Sequence, residues 1–142
     1  MRKLFLILTL CLITNSAFAA KGVNSKILTT SGTALSSYAT TNTTITTDAI
    51  YQKGNVGFSS LVINSTVPVT ICQQISDDGS NWYDPYTISG TTIASADTVV
   101  SNLAASDRWI ILTAKMSKYV RFTIHTQGVG TLTAKYVWQD ED

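Results

Sequence analysis

The stretch that decides the fold is residues 119–125, which read Tyr-Val-Arg-Phe-Thr-Ile-His. Val120, Phe122 and Ile124 alternate with more polar side chains along this stretch. Because successive side chains of a strand point to opposite faces, the alternation predicts a β-strand. One face of that strand belongs to a core, and the other meets solvent or a partner.

The same alternation continues after the turn residues 127–130. Residues 131–138 form a second predicted strand, and its larger side chains share one side. Two alternating runs around a short glycine-containing turn are typical of a hairpin, so we expect these strands to pair with each other. The side chains expected on the core side are Leu132, Ala134, Tyr136 and Trp138.

Two further strands are predicted upstream, at residues 57–63 and 67–75, around the polar turn 64–66. Pro68 cannot donate a ladder hydrogen bond, so it belongs at a strand start or an edge. Residues 109–113 form a continuous apolar run, which is short enough to be a strand covered on both faces.

Strand-forming residues dominate the chain, which is rich in Thr, Ser, Val, Ile and Tyr, and no amphipathic helix can be written anywhere. We therefore expect an all-β antiparallel sandwich, jelly-roll-like, of about eight strands over residues 48–142. Residues 21–47 are polar, with few large apolar side chains. They are predicted to form edge strands, or an N-terminal arm that becomes ordered against a neighbouring subunit.

Residues 1–20 have the layout of a cleavable secretory signal. Arg2 and Lys3 precede an apolar run from 4 to 13, and small residues follow at 17 and 19. About ten apolar residues are too few for a membrane span, which needs roughly 20 in a helix. We expect a secreted, periplasmic or cell-surface protein with no membrane span.

Charge and cysteine content restrict the partners. The chain has ten Lys plus Arg against nine Asp plus Glu, and removing residues 1–20 takes away two of the basic residues. No basic patch remains for nucleic acid. Cys72 is then the sole cysteine, so no intramolecular disulfide is expected. It is interpreted as a buried small hydrophobe, or else as an intermolecular bridge or reactive thiol.

The most distinctive segment is 76–85, which reads Ser-Asp-Asp-Gly-Ser-Asn-Trp-Tyr-Asp-Pro. Asp, Asn and Gly in this order favour a tight turn between strands, with Trp82 packed back on the sheet. Hard oxygen ligands from Asp77, Asp78 and Asp84, with Asn81, leave a calcium loop as the alternative. The spacing does not match the helix-loop-helix calcium pattern, so no metal is the main expectation.

Catalysis has few candidate groups. His125 is the sole histidine, no nucleophile-elbow motif is present, and one histidine with one cysteine is too few for a usual zinc site. The chain without residues 1–20 has a single glutamate, Glu141, so paired carboxylates of the glycosidase type are not evident. We therefore expect no enzyme activity, no catalytic residues and no cofactor.

Clustered aromatic residues are the remaining candidates for recognition. Trp82, Tyr83 and Tyr86 lie close together in the sequence, next to Asn81. Aromatic rings with a nearby amide are typical of platforms that stack on sugar rings, but they are as common in protein interfaces and cross-strand pairs. A surface glycan and a second copy of the chain are therefore both candidate partners.

The order of these motifs resembles small β-sandwich domains of bacteriophage virion accessory (decoration) proteins and, more distantly, discoidin-like modules. The resemblance lies in the Ser-Asp-Asp-Gly-Ser-Asn-Trp-Tyr-Asp turn at 76–84, the strand with Tyr-Val-Arg at 118–124 and the segment that begins Gly-Val-Gly at 128–134. It implies a non-catalytic module that decorates a particle or surface, or binds a surface sugar. Virion components normally carry no secretory signal, and this chain departs from the group in having one.

Two functions follow as expectations. The first is a non-enzymatic, exported structural or interaction protein that self-associates or decorates an extracellular surface or particle. Strand edges with few charged residues and a polar N-terminal arm favour this function. The alternative is a carbohydrate-binding β-sandwich module centred on the aromatic residues of the 76–85 segment.

Overall fold

The computed structural model describes residues 23–52, 56–89, 92–95, 98–112 and 117–140. The predicted signal peptide, residues 1–20, lies outside this range. The described residues form fourteen strands and no helix, and every strand pairing is antiparallel. The predicted all-β antiparallel class is confirmed. The strands are β1 (Val23–Ile27), β2 (Thr29–Thr30), β3 (Thr33–Ala34), β4 (Tyr38–Thr41), β5 (Thr44–Thr46), β6 (Ile50–Tyr51), β7 (Val56–Ser65), β8 (Val69–Ser76), β9 (Tyr86–Ser89), β10 (Thr92–Ser95), β11 (Thr98–Leu103), β12 (Ser106–Leu112), β13 (Tyr119–Thr126) and β14 (Val129–Asp140).

Ten of these strands belong to two five-stranded sheets. In sheet I the order is β1-β14-β7-β12, and β4 pairs with the first part of β14. In sheet II the order is β11-β8-β13-β5, and β6 also pairs with β13. The strand number exceeds the expected eight because short strands share an edge, and because β2–β3 and β9–β10 form separate two-stranded ribbons.

One hydrophobic core lies between the two sheets. The predicted inward faces are confirmed for Val120, Phe122 and Ile124 on β13 and for the core side of β14, where Trp138 is only partly buried. The rings of Phe122 from sheet II and Tyr136 from sheet I lie 5.8 Å apart between centroids. The buried apolar cluster contains Leu28, Leu35, Ile45, Ile50, Leu61, Ile63, Val69, Ile71, Leu112, Val120, Phe122, Ile124, Leu132, Ala134 and Tyr136.

The predicted C-terminal hairpin is wrong. Strand β13 pairs with β8 in sheet II, whereas β14 pairs with β7 in sheet I. Residues 127–128 therefore carry the chain from one sheet to the other, and residues 66–68 do the same between β7 and β8. Alternation specifies which face of a strand is buried, but a strand that faces its predecessor across the core has the same alternation as one that pairs with it.

Residues 66–68 and 127–128, the two crossings between the sheets, are joined by hydrogen bonds. The Thr66 amide donates to the Thr131 carbonyl at 3.0 Å, and the Thr131 amide donates to the Thr66 hydroxyl at 2.8 Å. The Gln127 amide donates to the Pro68 carbonyl at 2.8 Å. Because the crossings are fixed side by side, β7 lies next to β14 and β8 lies next to β13.

The polar segment 21–47 pairs within its own chain over its described part. Strands β1 and β4 lie against β14, and β5 lies against β13, so these residues occupy sheet edges. Leu28, Leu35 and Ile45 are its large core residues, and all three are buried. Removing these side chains would open the core between the sheets.

Among the residues that the structure describes, none belongs to a helix of the length and apolar character needed to cross a bilayer.

Replacing Gly130 with alanine tests the packing of the two crossings. An added Cβ would lie 2.7 Å from Cγ1 of Val67 and closer still to the hydroxyl oxygen of Thr66. We expect Gly130→Ala to lower the free energy of unfolding by about 1–3 kcal/mol, as overpacking does, in a urea titration. The matched control is Val129→Ala, because Val129 is an exposed neighbour and should change stability by less than about 0.5 kcal/mol. Equal effects of the two variants would contradict the close approach.

Candidate functional site

The segment after β8 folds into a turn that is organised by one carboxylate. Oδ1 of Asp78 accepts hydrogen bonds from the Ser80 amide at 2.7 Å and the Asn81 amide at 2.8 Å, and Oδ2 accepts one from the Asn81 side-chain amide at 2.7 Å. The Ser76 hydroxyl also donates to Oδ1. Gly79 has a φ of 76°, which a glycine adopts without strain.

These donors also set the charge state of the turn. The backbone amides of Asn81 and Ser80 hold the pKa of Asp78 well below the usual range of an aspartate. The carboxylate remains ionised, and its oxygens face donors of the same turn. Asp78 therefore acts as the organiser of the turn in the described structure.

The other possible calcium ligands have different surroundings. Oδ1 of Asp84 accepts a hydrogen bond from the Gln74 side chain at 2.9 Å, and Asp77 is exposed. Across the described ranges, no three His, Cys, Asp or Glu side chains are grouped so that they could hold a metal ion. This geometry favours the structural turn over a calcium loop.

Trp82 packs against the side chain of Arg121 on β13. The guanidinium carbon of Arg121 lies 4.3 Å from the centroid of the Trp82 ring, which is a cation–π contact. Nε of Arg121 also donates to Oε1 of Gln74 at 2.8 Å. Trp82 is half-buried, and Arg121 covers one face of its ring.

Tyr83 is the exposed aromatic residue of this segment. Its side chain is 60% exposed, and its backbone exchanges two hydrogen bonds with Ile75 of β8. A pocket of about 230 Å³ lies beside it. This volume is below the ~300–1,000 Å³ of typical small-molecule sites, so it suits a ligand no larger than about one ring. The pocket is lined by Ile75, Ser76, Asp77, Tyr83 and Ser117.

Two more tyrosines stand on the outer face of sheet II near the same turn. The rings of Tyr51 and Tyr119 are 5.3 Å apart between centroids, and Tyr51 is 58% exposed. Gly79 closes over the Tyr119 ring, where an added Cβ would lie 3.4 Å away. The structure thus places Tyr83 at the pocket and Asn81 in the turn, while Tyr86 begins the separate β9–β10 ribbon.

A second candidate site lies on the outer face of sheet I. Ile110 and Leu112 of β12 point towards the core, so Trp109 and Ile111 point outwards, and they are 65% and 79% exposed. The strand register places Trp109 and Ile111 in line with outward-pointing side chains of β7, β14 and β1. We call this surface the apolar face; it comprises the exposed Val23, Ile27, Trp109 and Ile111, the half-buried Val62 and the buried Val137.

The expectation that residues 109–113 are covered on both faces is wrong over the described part, 109–112. Strand β12 is an edge strand of sheet I and pairs only with β7 among the described strands. Its inward face is covered and its outward face is open. The sequence of an apolar strand does not reveal whether its outer face is buried by the same chain or by another chain.

His125 and Cys72 each lie near a threonine hydroxyl group. The exposed His125 places Nδ1 3.1 Å from the hydroxyl of Thr44. Cys72 is a free, half-buried thiol, 4.0 Å from the Thr98 hydroxyl, and is less buried than a core residue would be.

No family model, curated protein or solved structure matches this chain.

The role of Asp78 can be tested by the pH dependence of stability. A carboxylate whose folded pKa is lowered stabilises the fold above its unfolded pKa, about 3.9, and this contribution is lost as the pH falls below that value. We expect Asp78→Asn to be less stable than the wild type at pH 7, with a smaller difference at pH 3, in urea titrations. Asp77→Asn is the control, because Asp77 makes none of the four hydrogen bonds to the Asp78 carboxylate. The same difference at both pH values would contradict the role of the charge.

Proposed function

We propose that this chain is a non-enzymatic, exported structural or interaction protein that self-associates, or decorates an extracellular surface or particle, through the apolar face. The observation that carries the proposal is the exposure of Trp109 and Ile111 on an edge strand. Large exposed apolar patches on a folded chain mark interaction surfaces.

Burial of these side chains would release substantial free energy. A tryptophan buries about 200 Å² at about 25 cal/mol per Å², so covering the exposed part of Trp109 is worth roughly 3 kcal/mol before the costs of association. The half-buried Lys135 lies between Val62 and Ile27 in the register and can extend its methylene stem along the surface. The apolar face therefore continues across sheet I.

The strand edge supports the same function. Natural edge strands are usually protected by charged residues, prolines or bulges, because unpaired backbone groups otherwise add strands from other chains. From Trp109 to Leu112, β12 carries none of these protective residues, and its register with β7 is continuous. Asp107 and Arg108 are the charged residues of the strand, and both lie near its start.

The remaining parts of the proposal rest on the fold and the sequence. Two sheets around one core support a β-sandwich of the jelly-roll-like kind, which is the architecture implied by the resemblance to virion decoration domains. Export is inferred from the signal-like residues 1–20. The absence of an enzymatic role is inferred from the surroundings of His125 and Cys72.

Charged substitutions on the apolar face test self-association. We expect the double variant Trp109→Lys, Ile111→Lys to sediment as a monomer at concentrations where the wild type sediments as larger species, because two lysines cannot be buried unpaired. The control is Tyr83→Lys, which places the same charge at an exposed aromatic position of the other surface. A double variant that assembles like the wild type would refute the proposal for this face.

A carbohydrate-binding module is the second candidate function. It is favoured by the pocket beside Tyr83, whose lining combines this exposed aromatic residue with the polar residues Asp77 and Ser117. A ring that stacks on a sugar, together with polar groups at its edge, is a common arrangement for neutral sugars.

Tyr83 rather than Trp82 is the residue to change in a sugar titration. We expect Tyr83→Ala to abolish or strongly weaken any binding of soluble mono- and oligosaccharides, followed by tryptophan fluorescence, while thermal stability changes little. The control is Tyr51→Ala, which removes an exposed ring that does not line the pocket. If a sugar binds and Tyr83→Ala leaves the affinity unchanged, the pocket is not its site.

A further inference from the structure

The outer edge of β12 is the edge of sheet I that is best suited to pair with an added strand. Strand β12 has seven residues and bonds only to β7 among the described strands. We propose that a second copy of this chain adds its own β12 to this edge, antiparallel and about a two-fold axis. This inference rests on the proposed self-association and specifies its geometry.

The opposite edge of sheet I is a poorer partner. It is divided between β1 and β4, and the β2–β3 ribbon interrupts it between Leu28 and Leu35. An incoming β12 would find five residues at most before the interruption. A second β12 offers seven continuous residues, and a two-fold axis makes both copies use the same surface.

Side-chain pairing disfavours two of the neighbouring registers relative to the one centred on Ile110. If the axis passes through Arg108, two guanidinium groups lie directly opposite each other, which is unfavourable. If it passes through Trp109, each Ile111 lies opposite a partner's Asp107. If it passes through Ile110, Trp109 lies opposite Ile111 of the partner subunit, and this apolar pair occurs twice.

The Ile110-centred register also has a structural consequence. Sheet I of one copy continues into sheet I of the other, so Trp109 and its partner's Ile111 extend a single outer surface. The two apolar faces become one, with the edge strands at its centre. The charged Asp107 and Arg108 of each copy lie away from the axis.

Disulfide cross-linking tests this register in the protein from which residues 1–20 have been removed, with Cys72→Ser to remove its native thiol. Residues on the two-fold axis have Cα atoms about 4.5–5.5 Å apart, a separation that a disulfide spans. We expect Ile110→Cys to form disulfide-linked dimers under mild oxidation. Val62→Cys is the control, because Val62 lies on β7, one strand away from the edge. Ile110→Cys also keeps both Trp109 and Ile111.

A mixing experiment distinguishes neighbouring registers. We expect a mixture of Trp109→Cys and Ile111→Cys proteins to cross-link at least tenfold faster than either protein alone. In this register the two different cysteines lie directly opposite each other, whereas two copies of the same cysteine are diagonal neighbours at about 7–8 Å. Sedimentation of the wild type is measured in parallel. If the wild type assembles but neither Ile110→Cys nor the mixture cross-links, the β12 pairing is overturned and self-association stands. A wild type that is monomeric at every concentration overturns both.

Discussion

The two neighbouring chain crossings are the constraint on which the rest of the fold depends. The paired hydrogen bonds between Thr66 and Thr131 fix the 66–68 and 127–128 crossings side by side. Strands β7, β14, β8 and β13 then face each other across one core, and the other strands of the two sheets add at their edges. Strand β12 takes one such edge, which leaves Trp109 and Ile111 outside the core.

The sequence predicted the faces of the strands better than their neighbours. Period-two alternation correctly placed Val120, Phe122 and Ile124 in the core, because burial of one strand face is a local property. It could not show that β13 and β14 belong to different sheets, since pairing depends on residues far away in the chain. The two isolated leucines of the polar N-terminal segment, Leu28 and Leu35, were likewise too sparse to form a pattern.

At the candidate sites, too, local features were predicted and long-range contacts were not. Turn chemistry predicted the structural role of the 76–85 segment, and the Asp78 hydrogen bonds agree with it. The clustering of aromatic residues did not distinguish Trp82, which is held by Arg121, from the exposed Tyr83. The exposure of Trp109 and Ile111 was not predicted, because a run of apolar residues is typical of a strand that is covered on both faces.

The most direct test of whether another copy completes β12 is backbone amide hydrogen–deuterium exchange at several protein concentrations. Exchange of the β12 amides should slow as the concentration rises, because strand addition protects the outward-pointing amides of an edge. Strand β11, the edge of sheet II next to β8, is the internal reference and should exchange at a constant rate. Exchange in β12 that is independent of concentration, in a range where the protein assembles, would contradict completion of this edge by a second copy.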